Sequence, residues 1–186
     1  MTFTTDSEND NLIYAGFWIR LIAGIIDYII CLPFTYTIKY IDGYNKFSFC
    51  WGILINIILL VIYDIYFVKK YGGTLGKLIV KIKILKTNGE KVDWKESFLR
   101  STIPLTTNIL TFVLMLMSVQ NITDKEFFAI NYKNRGAFIL TESPYFYSLL
   151  AFIFIAIIGE YVVLLTNKKR RAIHDYIAGT IVINTK

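Results

Sequence analysis

Four apolar runs separated by polar segments set the plan of the chain, at about 16–38, 49–68, 101–119 and 145–166. Each is long enough to cross a bilayer, which takes ~20 mostly apolar residues in a helix. Pro33 falls late in the first run and predicts a kink near its far end, whereas Pro104 falls in the first turn of the third, where proline is tolerated. Trp18, Tyr36, Tyr40, Trp51 and Tyr145 lie near the ends of runs and suit the aromatic belts of a membrane interface. Between the second and third runs the period changes. Val80 to Leu85 reads VKIKIL, the alternation of a strand, and Asn88-Gly89 is a hairpin turn signal with Val92 beyond it. Asp93 and Glu96 fit a capping box that opens a short helix leading to Arg100. In the tail, TIVIN at 180–184 reads as a further short strand.

Polar residues interrupt the apolar runs at few places. The stretch YAGFWIRLIAGIIDYIICLPFTYTI, Tyr14 to Ile38, carries Arg20 and Asp27 seven residues apart, two turns along one helix face. Gly16, Arg20, Ala23, Gly24, Asp27 and Cys31 share that face, a stripe of small and polar side chains that should meet protein rather than lipid. A charge at the bilayer centre costs at least ~2.5–3.5 kcal/mol on an insertion scale, so each such group calls for a partner or a function. The bland alternative is that Arg20 snorkels to the head groups and Asp27 is merely paired. At 1.5 Å per residue, Arg20 and Asp64 lie ~6 Å inside the same membrane face, which predicts an ion pair between them. Above them, at ~9–18 Å, come Glu160, Asn108, Asp27 and Asn56. Pairing Arg20 with Asp64 leaves Asp27 and Glu160 without a fixed cation, open to a proton or a metal ion.

The 186 residues are 55% hydrophobic, which is high for a soluble domain and ordinary for one membrane domain. The first 13 residues form an acidic tail with no basic n-region, so the first span is expected to be an uncleaved anchor and residues 14–186 the membrane domain. Lys and Arg are unevenly placed: 14 lie in segments 69–100 and 167–186, five in the segments 39–47 and 120–144. By the positive-inside rule both termini and the 69–100 segment face the cytoplasm. Making the third or fourth run merely interfacial would break this pattern. The expected class is therefore an all-α membrane protein, a bundle of four transmembrane helices with a small cytoplasmic β-hairpin or sheet. The net charge of +6 reflects these basic loops and gives no reason to expect nucleic acid as a partner. Cys31 and Cys50 fall in or beside apolar runs, without metal spacing, and read as buried thiols rather than a disulfide.

Three motif-like stretches weaken on inspection. GGTLGK resembles a phosphate loop, but Tyr71 stands where its first glycine should be and Leu78 where a hydroxyl should hold magnesium. The expectation is that Gly72, Gly73 and Gly76 let the chain turn sharply at the head groups, with Lys77 near lipid phosphate. His174-Asp175 lacks a nucleophile setting, and one histidine cannot build a metal site alone. Asp175 is expected instead to be the structural partner of a basic group, Arg20, Arg100 or Lys77. Asn121-Ile122-Thr123 matches a glycosylation acceptor, a short pattern that chance supplies often.

The segments FWIRLIAGIIDYII, GGTLGKLIVKIKILKTNGEKV followed by Arg100, and RRAIHDYIAGTIVI resemble the RDD family of membrane proteins, over most of the chain from about Tyr14 to Ile183. That family is named for one arginine and two aspartates. The arginine and first aspartate fall on Arg20 and Asp27, and the second on Asp175, with Asp64 as the other position. The resemblance implies a polytopic membrane protein of the cell's inner (plasma) membrane and does not fix an activity. Two functions are carried forward. One is a transporter of a monovalent cation or proton, working through Asp27 and Glu160 with Asn108 and Asn56; with four helices it is expected to oligomerise. The other is a membrane scaffold whose polar residues hold the bundle together and whose basic face docks a partner. With no nucleophile or metal constellation, an enzyme is not expected, and no cofactor is called for.

Overall fold

The structure is a computed structural model, and it describes residues 13–41 and 45–185. The acidic tail expected at 1–13 lies outside the described residues apart from Ile13. Four long apolar helices are present: α1 (Phe17–Ile41), α2 (Lys46–Tyr71), α5 (Thr102–Asn121) and α8 (Phe146–Thr166). Shorter elements fall between and after them: α3 (Leu75–Ile79), β1 (Ile82–Lys86), α4 (Trp94–Arg100), α6 (Asp124–Ala129), α7 (Arg135–Thr141), α9 (Ile173–Ile177) and β2 (Thr180–Asn184). Pro33 is accommodated inside α1, and Pro104 lies in the first turn of α5. Exposed Ile25, Ile29, Ile58, Leu59, Phe154 and Ile155 stud the long helices, a surface that suits acyl chains and not water.

The chain packs as two compact units. The first takes the described residues of Met1–Ile30, Ile62–Thr102 and Ile157–Lys186. Its core joins Ala15, Ala23, Val68, Ile82, Ile84, Val92 and Val182. The alternation in the basic segment explains part of this, because Ile82 and Ile84 turn inward while Lys81 between α3 and β1 stays exposed. β1 starts at Ile82 and not at the expected Val80. The chain is still completing the turn of α3 there: Lys81 N–H donates to the Leu78 carbonyl at 3.0 Å and its φ of 58° reverses the backbone. β1 pairs antiparallel with β2, Ile84 opposite Val182. The Asn88-Gly89 turn forms, with Gly89 at φ 86°, but its return arm adds a single bridge, Leu85 to Lys91. The tail strand, not the hairpin arm, is the main partner of β1. The segment before α1 extends the arrangement on the other side, Ala15 N–H donating to the Val182 carbonyl at 2.9 Å. At α4 the Glu96 carboxylate accepts the Asp93 N–H at 3.0 Å, the backbone half of the expected box. The exposed Asp93 carboxylate turns to Lys69 and Lys86, whose hydrogen bonds bring it down to about 2.

The second unit takes Cys31–Val61 and Ile103–Ala156. Its core is Phe49, Val119, Ile122, Phe127 and Ile139. Hydropathy alone gives no structure to the polar segment between α5 and α8, yet two short helices form there. Thr123 and Glu126 make a full capping box for α6: the Glu126 N–H donates to Thr123 Oγ1 at 3.3 Å and the Thr123 N–H to Glu126 Oε2 at 2.8 Å. The box seats Phe127, which is fully buried, and the T-x-x-E spacing was there to be read. It also engages the threonine of the glycosylation-like triplet. Cys31 and Cys50 are half-buried.

Candidate functional site

The polar residues of the first unit gather around two aspartates. Asp175, in α9, is fully buried. Its Oδ2 accepts from Arg20 Nη1 at 2.7 Å and from the Ala172 N–H at 3.0 Å. Its Oδ1 accepts from Arg100 Nη1 and, at 3.3 Å, from Thr180 Oγ1. Arg20 is held from two further directions, its Nε donating to the Ala15 carbonyl at 3.1 Å and its Nη2 to the Arg170 carbonyl at 2.6 Å. Arg100 also donates to Thr180 Oγ1 at 2.5 Å. Arg171 closes the tail turn by donating to the carbonyls of Thr180 and Asp175, at 3.0 and 2.9 Å. Burial by itself would push the Asp175 carboxyl up. The charges of Arg100, His174 and Arg20 outweigh it and hold the group well below the usual carboxylate range. Three chain segments distant in sequence are thereby fastened to one carboxylate.

Asp27, in α1, is held differently. Its Oδ1 accepts from Tyr63 OH and from the Gly76 N–H, both at 2.7 Å, and its Oδ2 from Thr74 Oγ1 at 2.5 Å. Tyr63 OH also accepts the Leu75 N–H at 3.0 Å. GGTLGK is thus fixed against α1 by one carboxylate. Its glycines have different jobs: Gly72 takes a positive φ of 80°, but Gly76 is there for close approach. A Cβ on Gly76 would strike the Ala23 carbonyl and come within 2.8 Å of Asp27 Cγ. The stripe of small residues is therefore half a packing face, since Ala23 is buried but Gly24 is exposed with nothing within 4 Å of an added Cβ.

The expected pair of Arg20 with Asp64 is not formed. Arg20 turns to Asp175, and Asp64 accepts from Ser101 Oγ at 2.6 Å. A count of depth along two helices fixes a level but not a direction around the axis, and it omits the tail, which returns after α8 and brings Asp175 to that level. Glu160 is not left open either: it accepts the His174 N–H at 3.2 Å and lies 2.9 Å from His174 Nδ1. Asn56, which donates to Thr35 Oγ1 at 3.4 Å, and the half-buried Asn108 belong to the second unit, whereas Asp27 and Glu160 belong to the first. Lys77 lies in electrostatic reach of Asp64, Arg100, Asp27 and Asp175. Among the described residues of the first unit, Asp27, Asp64, Glu160 and Asp175 thus face Arg20, Arg100, Lys77 and His174, and the expected surplus of acid shrinks to the charge that His174 carries only when protonated. No group of three or more His, Cys, Asp or Glu among the described residues could hold a metal ion.

Sequence reasoning passed over Tyr63, Thr74 and Thr180. The first two are neutral hydroxyls in apolar or glycine-rich surroundings, and only their approach to a buried carboxylate gives them a role. Thr180 opens TIVIN and reads as an ordinary strand residue.

Long apolar helices bound together by buried polar groups define an integral, multi-pass membrane protein. The RDD family model matches residues 14–179, and the chain belongs to that family. No curated protein and no solved structure matches it.

Proposed function

We propose that this protein exchanges a proton or a monovalent cation across the membrane at Asp27. The observation that carries the reading is the company of that carboxylate, two hydroxyls and one backbone N–H. None of the ion pairs among the described residues includes Asp27. A hydroxyl both donates and accepts. Tyr63 and Thr74 donate to the empty carboxylate and can rotate to offer lone pairs when a cation arrives, while a proton would neutralise Asp27 directly. Glu160 and His174 in the same unit supply a second group able to carry a proton. The test is flux of Na⁺, K⁺ and protons in proteoliposomes. Asp27→Asn should abolish it, and Thr74→Val, which removes one rotating hydroxyl, should slow it, with the purified protein still monodisperse. Wild-type protein that moves none of these ions, or an Asp27→Asn protein with unchanged flux, would refute the proposal.

A second reading, a membrane scaffold, is favoured by the fastening of Asp175 to both Arg20 and Arg100, which is architecture rather than an ion path. Loss of folded protein in Asp27→Asn would speak for it. Under either reading, the excess of Lys and Arg in the basic segments 69–100 and 167–186 supports a place in the plasma (cell inner) membrane with both termini in the cytoplasm. A reporter fused after the last residue that becomes active only outside the cytoplasm would overturn this orientation.

A further inference from the structure

Not all the exposed apolar surface of the first unit lies on the long helices. The short helix α4 shows Trp94, 57% exposed, and Phe98, 50% exposed, one turn apart on one face. Ser97 and Arg100, turned the other way, are buried. α9 packs against α4 and leaves Tyr176 and Ile177 exposed as well. Large side chains of this kind, shown together by two short helices, mark a surface that meets something other than water.

The polar bonds of the unit fix the level at which this surface stands. At one end of α4, the Asp93 carboxylate accepts a hydrogen bond at 2.8 Å from Lys69, in the last turn of α2. At the other end only Ser101 separates α4 from α5. α4 thus bridges the ends of two long apolar helices and lies across the membrane face. α9 is held at the same face. The His174 N–H donates to Glu160, which lies ~9 Å short of the end of α8 at Thr166. The next residue, Asp175, is bound to Arg20 near the start of α1 and to Arg100 at the end of α4. The polar layer on each side of the hydrocarbon is only ~5–7 Å thick. Helices fastened this far along α8 stand within that layer and not in the water beyond it.

We propose that α4 and α9 form an interfacial anchor, with the face of Trp94 and Phe98 seated among the phospholipids of the bilayer that the long helices cross. An indole suits that place: its ring meets the acyl boundary and its N–H meets the carbonyl and phosphate oxygens above. Lys95, exposed beside Trp94, has a long apolar stem that carries its ammonium to the same phosphates. The anchor adds to the spanning helices a part that lies in the membrane plane, and it does not depend on ion transport.

Tryptophan fluorescence of the full chain in phosphatidylcholine nanodiscs, which leave both membrane faces open to solutes, tests the anchor. The chain has three tryptophans. Trp18 and Trp51 are exposed on α1 and α2, so Trp18→Phe together with Trp51→Phe should keep the fold and leave Trp94 as the sole reporter. Trp94 should lose emission to lipid brominated near the glycerol end of its acyl chains. It should lose less to lipid brominated near the methyl end, and it should be shielded from iodide in the water. Phe98→Trp, with Trp18, Trp51 and Trp94 all changed to Phe, places a second reporter on the same face and should give the same pattern. Emission that iodide quenches and neither brominated lipid touches would overturn the anchor and turn the face to water. Emission shielded from iodide and from both lipids would overturn it as well, because protein would then cover the face, either a second copy or another part of this chain.

Discussion

Asp175→Ala should leave almost no folded protein in the membrane fraction, and whatever remains should unfold well below the wild type. The change strands the Arg20 and Arg100 guanidinium groups beside a space with no carboxylate, and both are largely buried, with side chains 11% and 4% exposed. Removing one partner of a buried pair costs ~3–5 kcal/mol, and here two cations lose the same partner. Domains are stable by only ~5–15 kcal/mol, so one such loss is a large share of the whole. Asp175→Asn keeps the shape but offers a single acceptor oxygen, and should fall between the two. A double-mutant cycle gives the mechanism. Arg20 and Asp175 should couple by ~0.5–3 kcal/mol, while Arg20 and Asp64 should be additive. Coupling of Arg20 to Asp64 instead, or a wild-type melting curve for Asp175→Ala, would contradict the arrangement.

The pH dependence of this fastening has a definite sign. The folded carboxyl is depressed, so its contribution is fully present above the unfolded value of about 3.9 and fades as pH falls toward the lower folded value. Mild acid down to about pH 4 should therefore leave the Asp175 network closed. A loss of stability that began at about pH 6 would have to come from a group other than Asp175.

Gly76→Val should be the second most damaging change, although the residue looks like one glycine of a loose turn. Its missing side chain is where α1 passes. Besides the Ala23 carbonyl, a Cβ would meet the Asp27 backbone nitrogen at 2.9 Å. Backbone of a long helix cannot move aside as a flexible side chain can, so α3 must retreat. Retreat breaks the bonds of Asp27 to Thr74 Oγ1 and the Gly76 N–H. Overpacking costs ~1–3 kcal/mol, and each lost hydrogen bond to a charged group adds ~1.5–3 kcal/mol. Gly89→Ala is the control: its φ of 86° carries strain, but an added Cβ has open space there, so it should cost ~1 kcal/mol. Equal melting temperatures for Gly76→Val and wild type would show that the close approach is not needed.

The elements were legible where period and length speak. Four runs became four long helices with ends shifted by a few residues, and VKIKIL turned its isoleucines into the core. Asp93 and Glu96 announce α4, and the same spacing at Thr123 and Glu126 announces α6 in a segment where hydropathy alone shows nothing. The sites were less legible. That Arg20 and Asp27 needed partners followed from the cost of charge in lipid, but the partners lie 155 and about 50 residues away in sequence, and nothing local encodes that. Depth along a helix was the available ruler, and it favoured Asp64 for Arg20. A strand partner for β1 was equally hard to choose, because the Asn88-Gly89 turn offers a nearby one while the chain uses a distant one.

The meeting of Arg20 with Asp175 also sets a clock. A ribosome adding ~5–20 residues per second needs ~8–30 s to make the 155 residues between them. Throughout that interval the carboxylate that will hold the arginine of the first helix does not yet exist. β2, which completes the sheet, arrives later still. The nascent chain must therefore lodge Arg20 elsewhere, at head-group phosphate or in the insertion machinery, and then exchange that lodging for Asp175. The Arg20–Asp175 pair therefore closes well after the first helix is made, and factors that shelter unpaired intramembrane charge should affect the yield of this protein.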